Sequence, residues 1–259
     1  MTDINDNQEV IASLIKGLKV IKSFDIQNSS MTLSDIAKKN EITRASARRI
    51  IRSLMYLDYV DQTDNFFSLT PKIIELGYSY FSSLHWTDMA YKEIKKIVDK
   101  CKLSCSILTL DGVNAICIMR VPSTRVLNEA LNVGMTLPAA YTATGRVFMM
   151  HMDDNELYKY VHTLPITPHT DKSITSAEDL YKTIKSQKNQ GYQLVIDELE
   201  EGFASMAVPI FNRENKVMAT ISIATYLSYK NIDYLKGEVL PLLRVGAANV
   251  GQAINALQK

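Results

Sequence analysis

The chain has 259 residues, of which 46% are hydrophobic and 22% charged, and its formal net charge at pH 7 is +1. This composition is that of a globular protein with one large or two small domains, and it excludes disordered, collagen-like and coiled-coil chains. No stretch reaches the roughly 18 apolar residues of a membrane span, and the acidic N-terminus lacks a secretory signal pattern. Three cysteines within one short region argue against a disulfide framework and a zinc site. We therefore expect a cytoplasmic protein with free, buried thiols, no membrane contact, no metal and no cofactor.

Three helices are predicted near the N-terminus. Apolar residues recur at helical spacing over residues 9–25, and a capping box at Thr32 opens a second helix over residues 33–40. Thr43 is placed to cap a third helix. The predicted buried face of that third helix consists of Ala47, Ile50, Ile51, Leu54 and Leu57.

Positive charge is concentrated on the second and third helices. Residues 31–57 contain six lysines and arginines and two acidic residues, which gives this segment a net charge of +4. A basic patch on a nearly neutral chain favours a polyanion as partner, and two short helices with a basic second one are typical of a helix-turn-helix that binds double-stranded DNA. An ordinary solvated helix face is the alternative for these arginines. The predicted DNA contacts are Thr43, Arg44, Ser46, Arg48, Arg49 and Arg52.

A hairpin and a linker helix are predicted next. Strand formers at residues 59–62 and 66–69 flank turn formers, which is the pattern of the wing in a winged helix. Thr70 and Pro71 then open a helix, in which Gly77 costs about 1 kcal/mol relative to Ala and favours close packing across a dimer. The predicted dimer contacts are Ile73, Gly77, Tyr80 and Leu84.

The remaining chain is predicted to be an α+β domain. Strands at residues 104–110 and 115–121 surround the turn Asp111-Gly112, and hairpin-like spacings favour an antiparallel sheet with helices beside it. Further strands are predicted at 127–131, 192–196, 205–210 and 216–225, and helices at 92–100, 144–150, 155–160, 177–190 and the C-terminus. The predicted organisation is a winged helix-turn-helix domain over 1–70, a linker helix over 71–85 and an α+β domain over 86–259.

The second domain offers a binding site rather than catalytic chemistry. The sequence lacks a Gly-x-Ser-x-Gly elbow, a phosphate-binding loop, a Gly-x-Gly-x-x-Gly turn and a His-Glu-x-x-His pair. Residues 142–145 precede an apolar helix, so unpaired N–H groups at its start suit a carboxylate, although a plainly capped helix explains them equally well. Ser205 and Ser222 interrupt apolar strands and need a partner from the backbone or a ligand.

Motifs along nearly the whole chain match one family. They are Leu33-Ser34-Asp35-Ile36-Ala37, Arg44-Ala45-Ser46-Ala47-Arg48-Arg49, Leu69-Thr70-Pro71, Thr144-Gly145-Arg146-Val147, Glu200-x-Gly202 and Met206-Ala207-Val208-Pro209. By these motifs the chain resembles the IclR family of bacterial transcription regulators. Arg120-Val121-Pro122 and the segment from Asp197 to Glu200 are most similar to the branch that responds to protocatechuate or 4-hydroxybenzoate.

The resemblance implies function as well as fold. It implies a GAF-like effector-binding domain, and a homodimer or dimer of dimers on a double-stranded DNA operator. It further implies activation of aromatic-catabolism genes through RNA polymerase in response to a small aromatic carboxylate. The alternatives are a regulator of this family that responds to an aliphatic acid, a catalytic α+β domain fused to a winged helix, and an oligomerisation module without a ligand. Several relatives carry Cys where this chain has Ser205, so their effector preference does not transfer.

Residues and resemblance together predict an effector site. An aromatic acid needs an apolar slot for its ring, for which Ile221 is an alternative to Ala224, and donors for its carboxylate. Arg120 is preferred over Arg125 as the cationic donor because strand 115–121 is apolar enough to be buried, whereas Arg125 follows a Pro-Ser-Thr loop. Arg146, where relatives have Lys, faces the sheet or the cavity. The predicted effector site is Arg120, Leu137, Ala143, Thr144, Gly145, Ser205, Met206, Ser222 and Ala224.

Overall fold

A computed structural model describes residues 10–123 and 131–257. The chain divides into two compact units, Met1–Leu84 and His85–Lys259. Three predicted features fall partly or wholly outside the described residues: the start of the first helix at Glu9, Arg125, and most of the strand at 127–131. Leu131, the last residue of that predicted strand, is described and lies in a loop.

The first unit is a winged helix-turn-helix. Its three strands form an antiparallel sheet in the order β1-β3-β2, in which Phe67 pairs with both Met31 and Gln62. Its elements are α1 (Ala12–Lys22), β1 (Ser30–Thr32), α2 (Leu33–Lys39), α3 (Arg44–Tyr56), β2 (Val60–Thr63), β3 (Phe66–Leu69), a 3-10 turn (Pro71–Ile73) and α4 (Ile74–Ser83). The predicted linker helix is thus a 3-10 turn followed by an α-helix.

Side-chain caps fix where α2 and α3 begin. The Thr32 hydroxyl accepts the N–H of Asp35 at 3.3 Å, and the Asp35 carboxylate accepts the N–H of Thr32 at 3.1 Å, which confirms the predicted capping box. The Thr43 hydroxyl accepts the N–H of Ser46 at 3.2 Å. Such a cap stabilises a helix by about 1 kcal/mol, because it satisfies an N–H that has no partner within the helix.

The core of the first unit differs from the prediction at two residues of α3. Ile50 is only half buried, and Leu57 is 49% exposed because it follows the last turn of the helix as its C-cap. The buried core consists of Val20, Met31, Ile36, Ala37, Ala47, Ile51, Leu54, Val60 and Phe67. α1 ends at Lys22, three residues earlier than predicted.

The second unit contains a six-stranded antiparallel sheet in the order β6-β5-β4-β9-β8-β7, which confirms the predicted α+β class. The strands are β4 (Cys105–Asp111), β5 (Asn114–Val121), β6 (Thr136–Pro138), β7 (Gln193–Ile196), β8 (Phe203–Phe211) and β9 (Val217–Tyr226). The helices are α5 (Thr87–Cys101), α6 (Ala143–Met150), α7 (Asp154–Val161), α8 (Ala177–Gln187), α9 (Ile232–Tyr234) and α10 (Leu240–Leu257), with a π-helical turn over Leu235–Val239.

Helices cover both faces of this sheet. Gly246 of α10 lies close to Ile97 of α5 and Ile221 of β9, so these two helices pack on the face that carries Ile221. α6 packs on the opposite face, where Thr144 and Thr220 share a hydrogen bond of 2.8 Å. The sheet face under α6 therefore carries Ser205 of β8 and Thr220 and Ser222 of β9.

The three thiols are free and buried, as predicted. Burial raises the pKa of Cys101, Cys105 and Cys117 above the usual range of a thiol, which keeps them protonated at neutral pH. Within the described ranges, no helix has the length and apolar character needed to cross a membrane.

Candidate nucleic-acid interface and ligand cavity

An open groove of about 1280 Å³ lies between α2, α3 and the wing of the first unit. Arg44, Arg48 and Arg52 follow one another at intervals of four residues along α3, so they share one helix face, and all three are exposed. Arg49 also contributes to the groove. Its remaining lining residues are Thr32, Leu33, Ser34, Ala45, Ile51, Met55, Gln62, Asn65 and Phe67. A positively charged groove beside a helix of this kind suits the major groove of DNA.

Two residues of the predicted DNA set do not line this groove. Thr43 uses its hydroxyl as the N-cap of α3. Ser46, two positions after Arg44, points about 200° away around the helix and lies beside the apolar surface shared by α1 and α3. Of the six predicted DNA contacts, the four arginines line this groove.

The wing adds two amide side chains that the sequence analysis missed. Gln62 and Asn65 line the groove opposite the recognition helix, and Gln62 donates to the backbone oxygen of Asp64 at 2.6 Å. Their position in a hairpin directly after the basic helix is a signal that could have identified them.

A cavity of about 240 Å³ lies inside the second unit, between the sheet, the N-terminus of α6 and the loop before β8. Apolar and hydroxyl-bearing residues form most of its wall. The lining residues are Ser104, Ser106, Leu108, Arg120, Leu131, Leu137, Thr142, Ala143, Thr144, Leu199, Glu200, Phe203, Ser205, Ser222, Ile223, Ala224 and Tyr226. A volume of this size suits a small molecule of about one ring.

Strand pairing brings a cation and hydroxyls into one row on the cavity wall. Ser106 of β4 pairs with Arg120 of β5 on one side and with Ser222 of β9 on the other. The guanidinium of Arg120 donates to the Ser106 hydroxyl at 3.2 Å. Burial lowers the pKa of Arg120 from its usual value, but an arginine keeps its charge at neutral pH. This row is suited to binding a carboxylate.

The start of α6 is held against the sheet. The N–H of Ala143 donates to the Ser205 hydroxyl at 3.3 Å, and the N–H of Gly145 donates to the Thr142 hydroxyl at 3.1 Å. A Cβ at Gly145 would overlap the carbonyl oxygen of Ala139, so only glycine allows this close approach. The amide of Gly145 is thus a capped-helix donor, and Gly145, which was predicted among the effector contacts, is not among the residues that line the cavity.

Met206 and Ile221 were also predicted to contact the ring, and both lie on the other side of the sheet. Successive side chains of a strand point to opposite faces. Because Ser205 and Ser222 face the cavity, their neighbours Met206 and Ile221 point into the fully buried core under α5 and α10. Leu137 and Ala224, which were also predicted to contact the ring, line the cavity.

The mouth of the cavity consists of residues that the sequence analysis did not assign. The hydroxyl of Tyr226 donates to the Glu200 carboxylate at 2.7 Å, which raises the pKa of Tyr226. The ring of Phe203 packs edge-on against that of Tyr226, with ring centroids 5.4 Å apart. The Glu200-x-Gly202 motif marks this loop in the sequence, but nothing there pairs it with Tyr226.

Arg146 faces neither the sheet nor the cavity. Its guanidinium forms a buried ion pair with Glu198 at 2.7 Å and donates to the carbonyl oxygen of Ala140 at 3.1 Å. The Glu198 carboxylate also accepts the N–H of Ile174 at 3.2 Å. The ion pair therefore connects α6 to the loop that carries Leu199 and Glu200.

The fold and the two sites define a DNA-binding transcription regulator with a separate ligand-binding domain. Residues 13–64 match the IclR helix-turn-helix domain, and residues 78–251 match the bacterial transcriptional regulator IclR C-terminal domain. The chain belongs to the IclR family of bacterial transcription regulators, and it is not an enzyme.

Similar proteins control aromatic catabolism. The chain is 31% identical to the Pca regulon regulatory protein of Pseudomonas putida, with 91% of this chain and 81% of that protein covered. It is 28% identical to the p-hydroxybenzoate hydroxylase transcriptional activator of Acinetobacter baylyi, with 92% and 89% covered. A solved double mutant of the PobR inducer-binding domain from Acinetobacter, in complex with 3-hydroxybenzoic acid, has a TM-score of 0.60 and 25% identity, and covers 66% of this chain and 98% of that one.

Proposed function

We propose that this regulator senses a small aromatic carboxylic acid such as protocatechuate or 4-hydroxybenzoate and thereby controls aromatic-catabolism genes. The observation that carries the proposal is the row of Arg120, Ser106 and Ser222 beside apolar residues, in a cavity of about 240 Å³. The similarity to regulators named for the pca genes and for p-hydroxybenzoate hydroxylase supports the aromatic class.

The carboxylate binds to Arg120 and the hydroxyls of its row, and the ring lies between Leu137, Leu131 and Ala224. A charge-assisted hydrogen bond in a partly buried site contributes about 1.5–3 kcal/mol. The buried N-terminus of α6 adds the Ala143–Thr144 backbone to the same wall, where the helix dipole favours an anion. The carboxylate end of the ligand is therefore defined by the sheet and by α6.

DNA binding follows from the groove of the first unit. Arg44 and Arg48 read base edges in the major groove, whereas Arg49 and Arg52 contact phosphates. Loss of a base contact weakens binding by roughly 1–3 kcal/mol and relaxes specificity at one position. Loss of a phosphate contact weakens binding to all sequences alike and lowers the salt dependence.

A homodimer or dimer of dimers provides two such units for two half-sites about one helical turn apart. The proposed contacts are Ile73, Gly77, Tyr80 and Leu84 of the 3-10 turn and α4. Tyr80 is 48% exposed within its own unit, and a Cβ at Gly77 would meet only the Phe81 ring at 3.9 Å. Packing inside the unit does not explain this glycine, which supports contact with a neighbouring chain.

The regulator acts in the cytoplasm as an activator that contacts RNA polymerase.

A thermal-shift screen of small acids tests the proposed effector class. A ligand at about 100 times its dissociation constant should stabilise the protein by roughly 2.7 kcal/mol. We expect stabilisation by 4-hydroxybenzoate or protocatechuate, and chromatography should recover the acid chemically unchanged. Stabilisation by aliphatic acids alone would show that the effector is an aliphatic acid. If no acid stabilises the protein, the second unit is better explained as an oligomerisation module. Consumption of the acid would indicate catalysis.

A further inference from the structure

The cavity wall carries a negative charge that the proposed carboxylate site does not use. Among the described lining residues, Arg120 is the one cation and Glu200 the one anion. These two charges of opposite sign make the electrostatic potential positive near Arg120 and negative near Glu200. A ligand therefore meets a different electrostatic environment at each end.

The two charges are associated with positions that lie well apart along β9. Arg120 shares its row with Ser222 of β9, whereas Glu200 is hydrogen-bonded to Tyr226 of the same strand. Ser222 and Tyr226 are four residues apart and point to the same face, which separates them by roughly 13 Å along the strand. An acid bound to Arg120 thus directs its opposite end towards Glu200.

Contacts of neighbouring residues hold the loop that carries the exposed Glu200. Its neighbour Glu198 is anchored by the buried ion pair with Arg146, and the N–H of Gly202 donates to the Asp197 carboxylate at 2.6 Å. Tyr226 occupies one of the Glu200 oxygens at 2.7 Å. A carboxylate offers about four acceptor positions on its two oxygens, so Glu200 retains capacity for a second donor.

We propose that Glu200 determines effector specificity by accepting a hydrogen bond from a hydroxyl on the far side of the ligand and by repelling a second carboxylate there. The inference rests on the proposed binding of an aromatic acid. In this role Glu200 selects hydroxylated aromatic monocarboxylates over unsubstituted monocarboxylates and over dicarboxylates. The physical reason is that an ionised acceptor strengthens a hydrogen bond from a hydroxyl, whereas two like charges within a few ångströms repel each other.

The test compares three acids that differ only at the para position: 4-hydroxybenzoate, benzoate and terephthalate. Isothermal titration calorimetry of the full chain should give the highest affinity for 4-hydroxybenzoate and the lowest for terephthalate. In Glu200→Gln, which keeps the shape of the side chain, the preference for 4-hydroxybenzoate over terephthalate should fall by roughly tenfold or more. The preference over benzoate should fall by about fivefold.

Glu201→Gln is the matched control. Glu201 is the next residue and is exposed like Glu200, but it does not line the cavity, so its substitution removes one charge without changing the wall. Both ratios should stay as in the wild type. A fall of the same size in Glu201→Gln would show a general charge effect and would overturn the role of Glu200.

The outcomes separate this inference from the proposed function. If the acids bind but Glu200→Gln leaves both ratios unchanged, the role of Glu200 is overturned and the aromatic effector class stands. If terephthalate fails to bind both the wild type and Glu200→Gln, shape rather than charge excludes it, which also overturns the inference. If none of the three acids binds the wild type, the proposed effector class fails and the role of Glu200 fails with it.

Discussion

The ion pair between Arg146 and Glu198 gives a prediction about stability. The two side chains are 4% and 10% exposed, their charged atoms are 2.7 Å apart, and each has a further backbone partner. Removal of one partner from a buried pair leaves an uncompensated charge and destabilises a protein by about 3–5 kcal/mol. We therefore expect Glu198→Leu and Arg146→Met each to lower the free energy of unfolding of the second unit by roughly that amount.

The double variant Arg146→Met, Glu198→Leu should be more stable than either single variant. It removes both charges together and so avoids the unpaired charge, which makes the two effects strongly non-additive. Calorimetric melting of the full chain, followed through the transition of the second unit, measures all three variants. A loss below 1 kcal/mol in the single variants, or a loss in the double variant equal to the sum of the singles, would show that the pair does not stabilise the unit as an ion pair.

Three further predictions concern other parts of the molecule. The double variant Arg44→Ala, Arg48→Ala should lose roughly 2–6 kcal/mol of binding to an operator selected from random duplex DNA, and equal binding in a gel-shift titration would remove the assignment. Gly145→Ala should destabilise the second unit by about 1–3 kcal/mol in thermal melts, because its Cβ meets the Ala139 carbonyl; an unchanged melting temperature would contradict this. Burial raises the pKa of Tyr160 to about 12, from about 10 in the unfolded chain, so the stability that this pKa difference contributes is complete below pH 10 and is lost as the pH rises through 12. An ultraviolet titration should show a tyrosine ionisation near pH 12 that is absent in Tyr160→Phe. If this ionisation persists in the variant, it belongs to another tyrosine.

The DNA-binding unit was largely predictable because its signals are local. Thr32 and Thr43 fix the starts of two helices through contacts within three residues, and the turn at Asp64 follows from residue types alone. The error at Leu57 has a local cause as well: helical periodicity continues in the sequence beyond the last helical turn. A pattern of spacing identifies the helix but does not say where it ends.

The ligand cavity was only partly predictable because it is assembled from distant segments. Tyr226 and Glu200 are 26 residues apart in sequence, and the Arg146–Glu198 pair is 52 apart, so no local pattern joins them. The error at Met206 was avoidable. Once Ser205 faces the cavity, the two-residue period of a strand places Met206 on the opposite face.

The proposed function requires the second unit to bind an aromatic acid through Arg120. This requirement can be measured by a calorimetric titration of the full chain with 4-hydroxybenzoate, repeated on Arg120→Ala. We expect one ligand per chain in the wild type and an affinity lower by about 1.5–3 kcal/mol in Arg120→Ala, with operator binding in the absence of ligand unchanged. An affinity that is the same in both proteins would contradict the role of Arg120, and a loss in Arg125→Ala instead would transfer it to that residue. The absence of binding by 4-hydroxybenzoate and protocatechuate to the wild type would contradict the effector class itself.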